Sequence, residues 1–260
     1  MLALEGKVAV VTGGNRGIGR AIALAMARAG ASVAIAARNE DSLGKVVAEL
    51  QKVGSACLAV RCDVADPASV DALGDAVLRH FGHTDVVVAN AGVAGPTKPL
   101  HEITPQEWRE CMATDLDGVY LTFGRFVPGM IQRQSGSLIA ISSMTGKRPL
   151  KNRTPYAAAK MGLIGLVRTL AVELGPYRIR VNCVCPGAVE GPRMVSVIRA
   201  QAQAQGISDD EASRQFTDSA ALKRLVQPDE IAATCVFLAS DAAAAVTGED
   251  LNVSAGLVMY

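Results

Sequence analysis

The sequence feature that most restricts the fold is a regular alternation of short apolar runs with longer segments of helical periodicity. Seven runs have the length and the Val, Ala and Ile content of buried strands, at residues 7–12, 32–36, 56–61, 85–89, 137–141, 179–184 and 250–253. Helical periodicity is clearest at residues 18–29, 66–79, 105–132 and 156–174. Because strand–helix–strand crossovers are right-handed, such a series builds a doubly wound parallel sheet. We predict an α/β fold in which about seven strands are flanked by helices.

Composition favours one domain built around this sheet. Hydrophobic residues make up 50% of the 260-residue chain but aromatic residues only 4%, so the core must consist mainly of Ala, Val, Ile and Leu. Such residues suit parallel strands that are covered on both faces. Since the chain has no internal repeat, low-complexity tract or long linker, we predict a single domain over residues 1–260. The longest irregular stretch, residues 186–221, is interpreted as a substrate loop or lid.

Charge and cysteine content argue against several classes of partner. The chain has 26 basic and 25 acidic side chains, a balance that disfavours nucleic acid and membrane surfaces. No apolar run reaches the ~18 residues of a membrane span and no charged leader precedes an apolar stretch, so a cytoplasmic location is expected. The six cysteines contain no C-x-x-C pair and the three histidines lie far from most of them, so we predict no metal site.

A glycine-rich turn joins the first predicted strand to the first predicted helix. The sequence Gly13-Gly-Asn-Arg-Gly-Ile-Gly19 directly follows Val8-Ala-Val-Val-Thr12. Glycines let the backbone approach a pyrophosphate, and a helix N-terminus offers free N–H groups and the positive end of its dipole. The spacing differs from G-x-G-x-x-G, so a plain structural turn stays open at this point. The candidate dinucleotide-binding residues are Gly13, Asn15, Arg16, Gly17, Ile18 and Gly19.

The end of the second predicted strand bears on the choice of cofactor. An NAD site places an acidic residue there for the ribose hydroxyls, but this chain has Ala37 and Arg38. Glu40 and Asp41 are assigned to the start of the next helix. A guanidinium at Arg38, with Arg16 in the glycine turn, suits the 2′-phosphate of NADP, although a surface arginine is the simpler explanation of either residue alone. NADP is predicted, with NAD possible.

Tyr156 and Lys160 lie one helical turn apart in Tyr-Ala-Ala-Ala-Lys and so share one helix face. Alone, such a pair is compatible with a solvated helix surface. Ser143 follows a predicted strand thirteen residues before Tyr156, which favours a functional role for all three.

The ordered set of motifs resembles the short-chain dehydrogenase/reductase family, in its compact single-domain branch, over nearly the whole chain. The motifs are residues 12–19, Asp63-Val64, Asn90-Ala-Gly92, Ser143, Tyr156-x-x-x-Lys160 and Asn182-x-x-x-Pro186-Gly187. The resemblance implies a Rossmann-type fold and hydride transfer between a nicotinamide cofactor and a carbonyl or secondary alcohol. It also implies a homo-oligomer, a tetramer, in which residues 105–132 and 156–174 form one interface and residues 256–260 another.

The resemblance further implies roles for individual residues. Tyr156 would give a proton to the substrate oxygen as hydride reaches carbon, and Ser143 would polarise that oxygen. Lys160 would ease ionisation of Tyr156 as an adjacent cation and hold the nicotinamide ribose. The other cofactor contacts implied are Asp63 and Val64 at the adenine, Asn90 and Gly92 at the ribose, and the backbone around Pro186, Gly187 and Val189 at the nicotinamide amide.

Two positions depart from the family pattern. Asp115 lies seven residues after Trp108, where the family usually has an asparagine that holds a proton-relay water. A carboxylate accepts hydrogen bonds but cannot donate them as an amide does, and it adds negative charge near Lys160, so we leave Asp115 out of the catalytic set. The second departure is Gly191, at a position where threonine is frequent, which puts carboxamide contacts in doubt.

Three functions are therefore compared. The first is an NADP(H)-dependent dehydrogenase or reductase, which an intact Ser143, Tyr156 and Lys160 favour. The second is a dinucleotide-binding sensor or scaffold with little or no turnover, for which Asp115 is the best support. The third, an epimerase or dehydratase, would normally need a longer C-terminal substrate domain. The segments expected to determine substrate specificity contain no motif that identifies a substrate.

A local excess of positive charge gives the only indication about the substrate. Lys147, Arg148, Lys151 and Arg153 lie between Ser143 and Tyr156, and Arg193 and Arg199 open the expected lid. If these six side chains, the basic cluster, face the substrate entrance, they favour a substrate with an anionic or strongly hydrogen-bonding group away from its reacting carbon, and they attract an anion before contact. The alternative is a solvated loop.

Overall fold

The seven predicted strands form one parallel sheet in the computed structural model, which describes residues 2–260. They are β1 (Val8–Thr12), β2 (Ser32–Ala37), β3 (Cys57–Arg61), β4 (Val86–Ala89), β5 (Gly136–Ile141), β6 (Ile179–Pro186) and β7 (Asp250–Val253). The strand order is β3-β2-β1-β4-β5-β6-β7, and every neighbouring pair is parallel. The chain therefore runs outward from β1 and then returns to place β4 on the other side of β1, which creates a crevice beyond the ends of these two strands.

Helices cover both faces of the sheet. Within residues 2–260 they are α1 (Gly17–Arg28), α2 (Glu40–Lys52), α3 (Pro67–Phe81), α4 (Pro105–Met112), α5 (Gly118–Arg133), α6 (Met144–Lys147), α7 (Thr154–Leu174), α8 (Pro192–Gln205), α9 (Asp209–Ser219) and α10 (Pro228–Ala239). The predicted α/β class and doubly wound sheet are confirmed.

The core has two layers because the strands bury alternate side chains on opposite faces. In β1, Val11 belongs to the cluster that includes Ile22 of α1, whereas Val10 belongs to the cluster that includes Leu73 of α3 and Phe123 of α5. All five side chains are almost fully buried. Two-sided burial explains why the strands appear in the sequence as continuous apolar runs.

The first turn of α2 has the composition expected for a helix start. The side chain of Asn39 accepts a hydrogen bond from the Ser42 N–H at 2.8 Å, and Glu40 and Asp41 occupy the first helical turn. Acidic side chains there stabilise the positive end of the helix dipole. The assignment of Glu40 and Asp41 to helix capping, rather than to the cofactor ribose, agrees with this geometry.

Residues 105–132 do not form the single regular helix that the periodicity predicts. A wider, π-helical turn at Ala113–Asp117 separates α4 from α5. The turn directs the side chain of Asp115 into the protein, where its Oδ1 accepts a hydrogen bond from the Val93 N–H at 2.6 Å. A contact with a segment distant in sequence thus accompanies the irregularity, which local periodicity does not reveal.

The expected loop at residues 186–221 is also different in the structure, because most of it is helical. It contains α8 and α9, and α9 begins with a capping box in which Ser208 and Glu211 bond each other's backbone N–H groups. Met194 and Phe216 pack in a small third cluster with Leu257 near the chain end. These helices are polar and bury few apolar residues, which is why the segment has the composition of a loop.

No helix within residues 2–260 is long and apolar enough to cross a membrane. The same residues contain no group of three or more His, Cys, Asp or Glu side chains that could hold a metal ion. The single-domain organisation and the cytoplasmic location stay predictions.

Candidate functional site

The candidate residues meet where four neighbouring strands end. Gly13 follows β1, Asn90 follows β4, Ser143 lies just after β5, and Gly187 follows β6. Because the strands are parallel and adjacent in the sheet, their carboxyl ends lie along one edge. The sheet therefore brings together residues that are more than a hundred positions apart.

The glycine turn is held against the end of β4. The side-chain amide of Asn90 donates hydrogen bonds to the carbonyl oxygens of Thr12 at 2.9 Å and Gly13 at 3.3 Å. The hydroxyl of Thr12 accepts the backbone N–H of Asn90 at 3.0 Å. A Cβ on Gly13 would lie 2.8 Å from the Asn90 amide nitrogen, and one on Gly19 would overlap the Gly13 carbonyl oxygen. Only glycine therefore fits at these two positions.

The geometry of this turn suits a pyrophosphate. Helix α1 begins at Gly17, so its first N–H groups lack partners within the helix and are available to an anion. The Asn15 side chain donates to Ser42 Oγ at 2.8 Å, which connects the turn to α2. Arg16 precedes the helix in extended conformation. The residues present therefore fit the phosphates of a dinucleotide.

A second arginine stands beside Arg38. Arg61, the last residue of β3, is paired in register with Ala37, the residue before Arg38. Arg38 and Arg61 therefore lie at the same edge of the sheet. Arg38 and Arg61 line an open depression with Asn39, Glu40 and Asp41. Arg38 Nη1 is 3.9 Å from the Asp63 carboxylate, and both side chains are well exposed. Sequence reasoning missed Arg61, which the pairing of the second and third predicted strands could have indicated.

Lys160 is buried against the end of β5. Its ammonium donates a hydrogen bond to the Ile141 carbonyl at 3.0 Å and lies 5.6 Å from the ring centre of Tyr156. The hydroxyl of Ser142 in turn donates to the Lys160 carbonyl at 2.7 Å. These contacts hold the first turns of α7 against the end of β5, and with them the half-buried Tyr156.

Ser143 lies in the same region and starts helix α6. Its Oγ accepts a hydrogen bond from the Thr145 N–H at 3.1 Å. A Cβ on Gly146 would lie 2.8 Å from the Lys160 carbonyl carbon, so α6 packs closely on α7. The structure thus brings the predicted trio of Ser143, Tyr156 and Lys160 to one place.

Asp115 faces Lys160, as its position in the sequence suggested. Its side chain is fully buried, and Oδ2 lies 3.8 Å from the Lys160 ammonium with no hydrogen-bond partner. The other oxygen, Oδ1, is occupied by the Val93 N–H. An asparagine could also accept this N–H through its carbonyl oxygen, so the distinctive contribution of Asp115 is its charge.

The basic cluster does not form one charged surface at the substrate entrance. The Lys147 side chain is largely buried, and its ammonium is paired with a carboxylate, 2.7 Å from Asp250 Oδ2. Burial opposes ionisation of Asp250, but hydrogen bonds from Lys147 and Arg168 outweigh it and leave the pKa of Asp250 below its usual value. Arg199 lies 3.8 Å from Asp209. The interpretation of all six side chains as a steering surface is therefore wrong.

Two members of the basic cluster turn instead toward Tyr156. The guanidinium carbon of Arg153 lies 4.8 Å from the centre of the Tyr156 ring, and that of Arg193 lies 5.8 Å from it. Arg153 donates a 2.6 Å hydrogen bond to the Ala94 carbonyl, and Arg193 donates one of the same length to the Val93 carbonyl. Arg193, in the first turn of α8, thereby joins the lid to the segment that follows β4.

A cleft extends from the Arg38 side of the sheet edge to helix α4. Its lining includes Asp63, Val93 and Cys111. Burial, followed by the nearby Asp115 carboxylate, raises the pKa of the Cys111 thiol to about 11, which keeps this thiol protonated at neutral pH. Trp108, the single tryptophan of the chain, lies one turn before Cys111 in α4 and is half-buried.

Comparison with known proteins identifies the family. A family model described as enoyl-(acyl carrier protein) reductase matches residues 13–258. A protein of Aspergillus oryzae named as a short chain dehydrogenase/reductase is 39% identical over 257 residues, which are 98% of this chain and 95% of the relative. The chain belongs to the short-chain dehydrogenase/reductase family. The resemblance inferred from the motifs is confirmed.

Other relatives of this short-chain dehydrogenase/reductase are named for defined reactions. The cis-4-hydroxycyclohexanecarboxylate dehydrogenase of Sinomonas cyclohexanicum is 40% identical over 252 residues, which are 96% of each chain. A crystal structure of a variant of actinorhodin polyketide ketoreductase with NADPH matches with a TM-score of 0.95 and 35% identity, over 100% of both chains. A 7α-hydroxysteroid dehydrogenase complexed with NADH and 7-oxo glycochenodeoxycholic acid matches with a TM-score of 0.91 and 34% identity, over 98% of this chain and 95% of the other.

These findings establish the coarse function of this short-chain dehydrogenase/reductase. It is a hydride-transferring oxidoreductase of Rossmann-type fold that uses a nicotinamide dinucleotide. One related structure contains NADPH and another contains NADH.

The glycine turn yields a first prediction. Gly19→Ala places a methyl group on the Gly13 carbonyl and the Asn90 amide, neither of which can move without breaking the link between β1 and β4. We expect cofactor affinity, measured by isothermal titration calorimetry, to fall by roughly tenfold or more, equivalent to about 1.4 kcal/mol.

The matched control is Gly44→Ala in the middle of α2, where an added methyl group meets open space. This change should leave cofactor affinity intact and stabilise the helix by up to about 1 kcal/mol. Wild-type affinity in Gly19→Ala would contradict the assigned role of the turn.

Proposed function

We propose that this protein is an NADP(H)-dependent dehydrogenase or reductase of carbonyl and secondary alcohol substrates, with Tyr156 as its general acid and base. The observation that carries the proposal is the buried Lys160, fixed between Ile141 and Asp115, with its ammonium 5.6 Å from the Tyr156 ring centre. This places a cationic side chain next to the aromatic ring whose hydroxyl is proposed to exchange the proton with the substrate.

Each residue of the proposed site has its own role in the reaction. Bound nicotinamide supplies or accepts the hydride at the substrate carbon. Tyr156 gives its proton to the substrate oxygen during reduction and takes it back during oxidation. Ser143, held at the end of β5, is assigned to hydrogen-bond the same oxygen and stabilise the charge that develops there. The buried side chain of Lys160 is held in one place beside the phenol by its hydrogen bond to the Ile141 carbonyl.

The backbone beyond β6 is assigned to the nicotinamide end of the cofactor. The Gly187 N–H donates to the Val253 carbonyl at 2.9 Å, and Val189 pairs with Val226, so this segment has a fixed path along the sheet edge. Together with Pro186, Asn90 and Gly92 it completes the proposed ribose and nicotinamide contacts. Asp63 and Val64 are assigned to the adenine.

Substitution of Tyr156 by Phe tests the mechanism. The ring and its packing are retained while the proton donor is lost, so we expect turnover at saturating cofactor to fall by roughly 10²–10⁴-fold. Cofactor affinity by calorimetry should stay within a factor of about two. The readout is the change in NADPH absorbance with a panel of ketones and secondary alcohols.

Tyr177→Phe, which removes a hydroxyl from an exposed turn after α7, is the matched control and should keep full activity. A binding protein without turnover, the alternative that Asp115 favoured, would show no difference between the two variants. Equal turnover of Tyr156→Phe and wild type would contradict the assignment of Tyr156.

The preference for NADP(H) is proposed from charge. β2 ends at Ala37, which offers no carboxylate to the ribose hydroxyls, and the next residue is the exposed Arg38. Arg61 contributes a second guanidinium to the same depression. Glu40 and Asp41 also line it, but their place in the first turn of α2 is explained by helix capping. Arginine binds phosphate through paired hydrogen bonds, which suits a 2′-phosphate.

Arg38→Ala tests this preference. Because a charge-assisted hydrogen bond contributes about 1.5–3 kcal/mol, NADPH affinity should fall roughly 10- to 100-fold while NADH affinity changes little. Arg28→Ala, at the exposed end of α1, is the control and should affect neither cofactor. Equal losses for NADPH and NADH in Arg38→Ala would show that this arginine does not contact the phosphate.

The substrate class is supported by the names of the relatives. They include a dehydrogenase of a hydroxycyclohexanecarboxylate, a hydroxysteroid dehydrogenase and a polyketide ketoreductase, names that denote chemistry at a hydroxyl or ketone group. We therefore propose that the substrate is a small molecule with a carbonyl or secondary alcohol group. The protein is proposed to act in the cytoplasm.

A homo-oligomer, a tetramer, is part of the same proposal. Large apolar side chains are exposed on α5 and α7, namely Tyr120, Met161 and Val172, and at the chain end, namely Met259 and Tyr260. Apolar patches that are exposed on one chain mark contact surfaces between proteins, and these side chains lie in the segments that the family resemblance assigns to the two interfaces. Light scattering at micromolar concentration should give about four times the chain mass of 27.0 kDa. A monomeric mass would contradict the proposal.

A further inference from the structure

Arg153 is a buried cation with unused hydrogen-bonding capacity. The residue is only 3% exposed, and its Nε has no hydrogen-bond partner. Of its five N–H donors, the guanidinium uses one on the Ala94 carbonyl. Burial, followed by the nearby Arg193 cation, lowers the pKa of Arg153, against the opposing effects of Tyr156, Cys111 and Asp115. Burying a charge without a carboxylate partner is energetically costly, so a ligand that supplied a negative charge would stabilise this side chain.

Arg193 adds a second positive charge on the same aromatic ring. Its Nη1 and Nη2 donate to the carbonyl oxygens of Gly92 and Val93 at 3.4 and 2.6 Å. Within residues 2–260, Arg153 and Arg193 form hydrogen bonds only to carbonyl oxygens and no salt bridge. Like-charged groups repel, yet both guanidinium carbons lie within 6 Å of the Tyr156 ring centre.

The charge balance around Tyr156 is therefore strongly positive. Three cations, Arg153, Arg193 and Lys160, have their charged groups within 6 Å of its ring centre. The neighbouring carboxylate of Asp115 faces Lys160 and the Val93 N–H. Within the described residues, neither arginine forms an ion pair with Asp115 or with any other carboxylate.

We propose that Arg153 and Arg193 bind a carboxylate of the substrate, so that the enzyme acts on hydroxy- or oxo-carboxylates. The inference rests on the proposed role of Tyr156 at the reacting oxygen. Since both guanidinium groups lie beside the ring that carries the reactive hydroxyl, the carboxylate is a few bonds from the reacting carbon. Two planar guanidinium groups offer the paired hydrogen bonds that a carboxylate accepts. Because Arg193 lies on α8, a bound carboxylate also connects the lid to the floor of the site.

The experiment measures binding without turnover. The protein saturated with NADPH is titrated by calorimetry with butanoate and cyclohexanecarboxylate, and with butanamide and cyclohexanecarboxamide as neutral partners of the same shape. We expect each carboxylate to bind roughly 10- to 100-fold more tightly than its amide, the difference made by a charge-assisted hydrogen bond. Equal affinity within the pairs, or no binding of either carboxylate, would overturn the inference.

Substitutions of the two arginines test whether they cause the preference for a carboxylate. Arg153→Gln and Arg193→Gln should each remove most of the preference for the carboxylate, and Arg153→Lys should keep part of it. Arg193 is exposed, so its variant remains informative even if Arg153→Gln does not fold. Arg148→Gln, an exposed arginine of the same segment, is the control and should keep the full preference. An unchanged preference in both glutamine variants would also overturn the inference.

Failure of this inference can be separated from failure of the proposed function. Tyr156→Phe should still prefer carboxylates, because Arg153 and Arg193 keep their backbone contacts in that variant. Turnover of neutral ketones without a carboxylate preference would contradict this inference alone. A carboxylate preference without turnover of any alcohol or ketone would contradict the hydride-transfer mechanism alone.

Discussion

The side-chain amide of Asn90 joins β1 and β4, the two strands between which the order of strand addition reverses. The β1–β4 ladder pairs only Ala9–Val11 with Val86–Val88, so the backbone gives no pairing beyond Val11. Asn90 continues the connection by donating to the carbonyl oxygens of Thr12 and Gly13. The glycine turn and the segment after β4 are thereby held at a fixed separation. Both halves of the site depend on this link, because one carries the glycine turn and the other receives contacts from Asp115, Arg153 and Arg193.

Much of the fold could be predicted from the sequence because burial on both faces leaves a simple pattern. A strand such as β1 contributes side chains to two separate cores, so nearly every residue in it is apolar and its bounds are clear to within a residue or two. The glycine turn was equally predictable, since close backbone approach at Gly13 and Gly19 leaves no room for a side chain. In these regions local chemistry and tertiary structure require the same residues.

The rest could not be predicted, because it depends on contacts distant in sequence. The wide turn at Ala113–Asp117 accompanies a bond from Asp115 to Val93, which no local periodicity indicates. Helices α8 and α9 bury few apolar side chains, so their pattern is mostly polar. The sequence showed that Lys147 and Arg153 are charged but not where their side chains point. Lys147 is paired with Asp250, whereas Arg153 binds the Ala94 carbonyl and lies over the Tyr156 ring.

The scarcity of aromatic residues gives the molecule a single indole fluorophore in an informative place. Trp108 is the chain's one tryptophan, and it lies in α4 one turn before Cys111, which lines the cleft. Its emission spectrum therefore comes from one environment rather than an average over several. Reduced nicotinamide absorbs in the range where tryptophan emits, so a bound dinucleotide at the sheet edge can accept excitation energy from this indole. The protein thus contains an optical probe in a helix that borders the cleft, with no label attached.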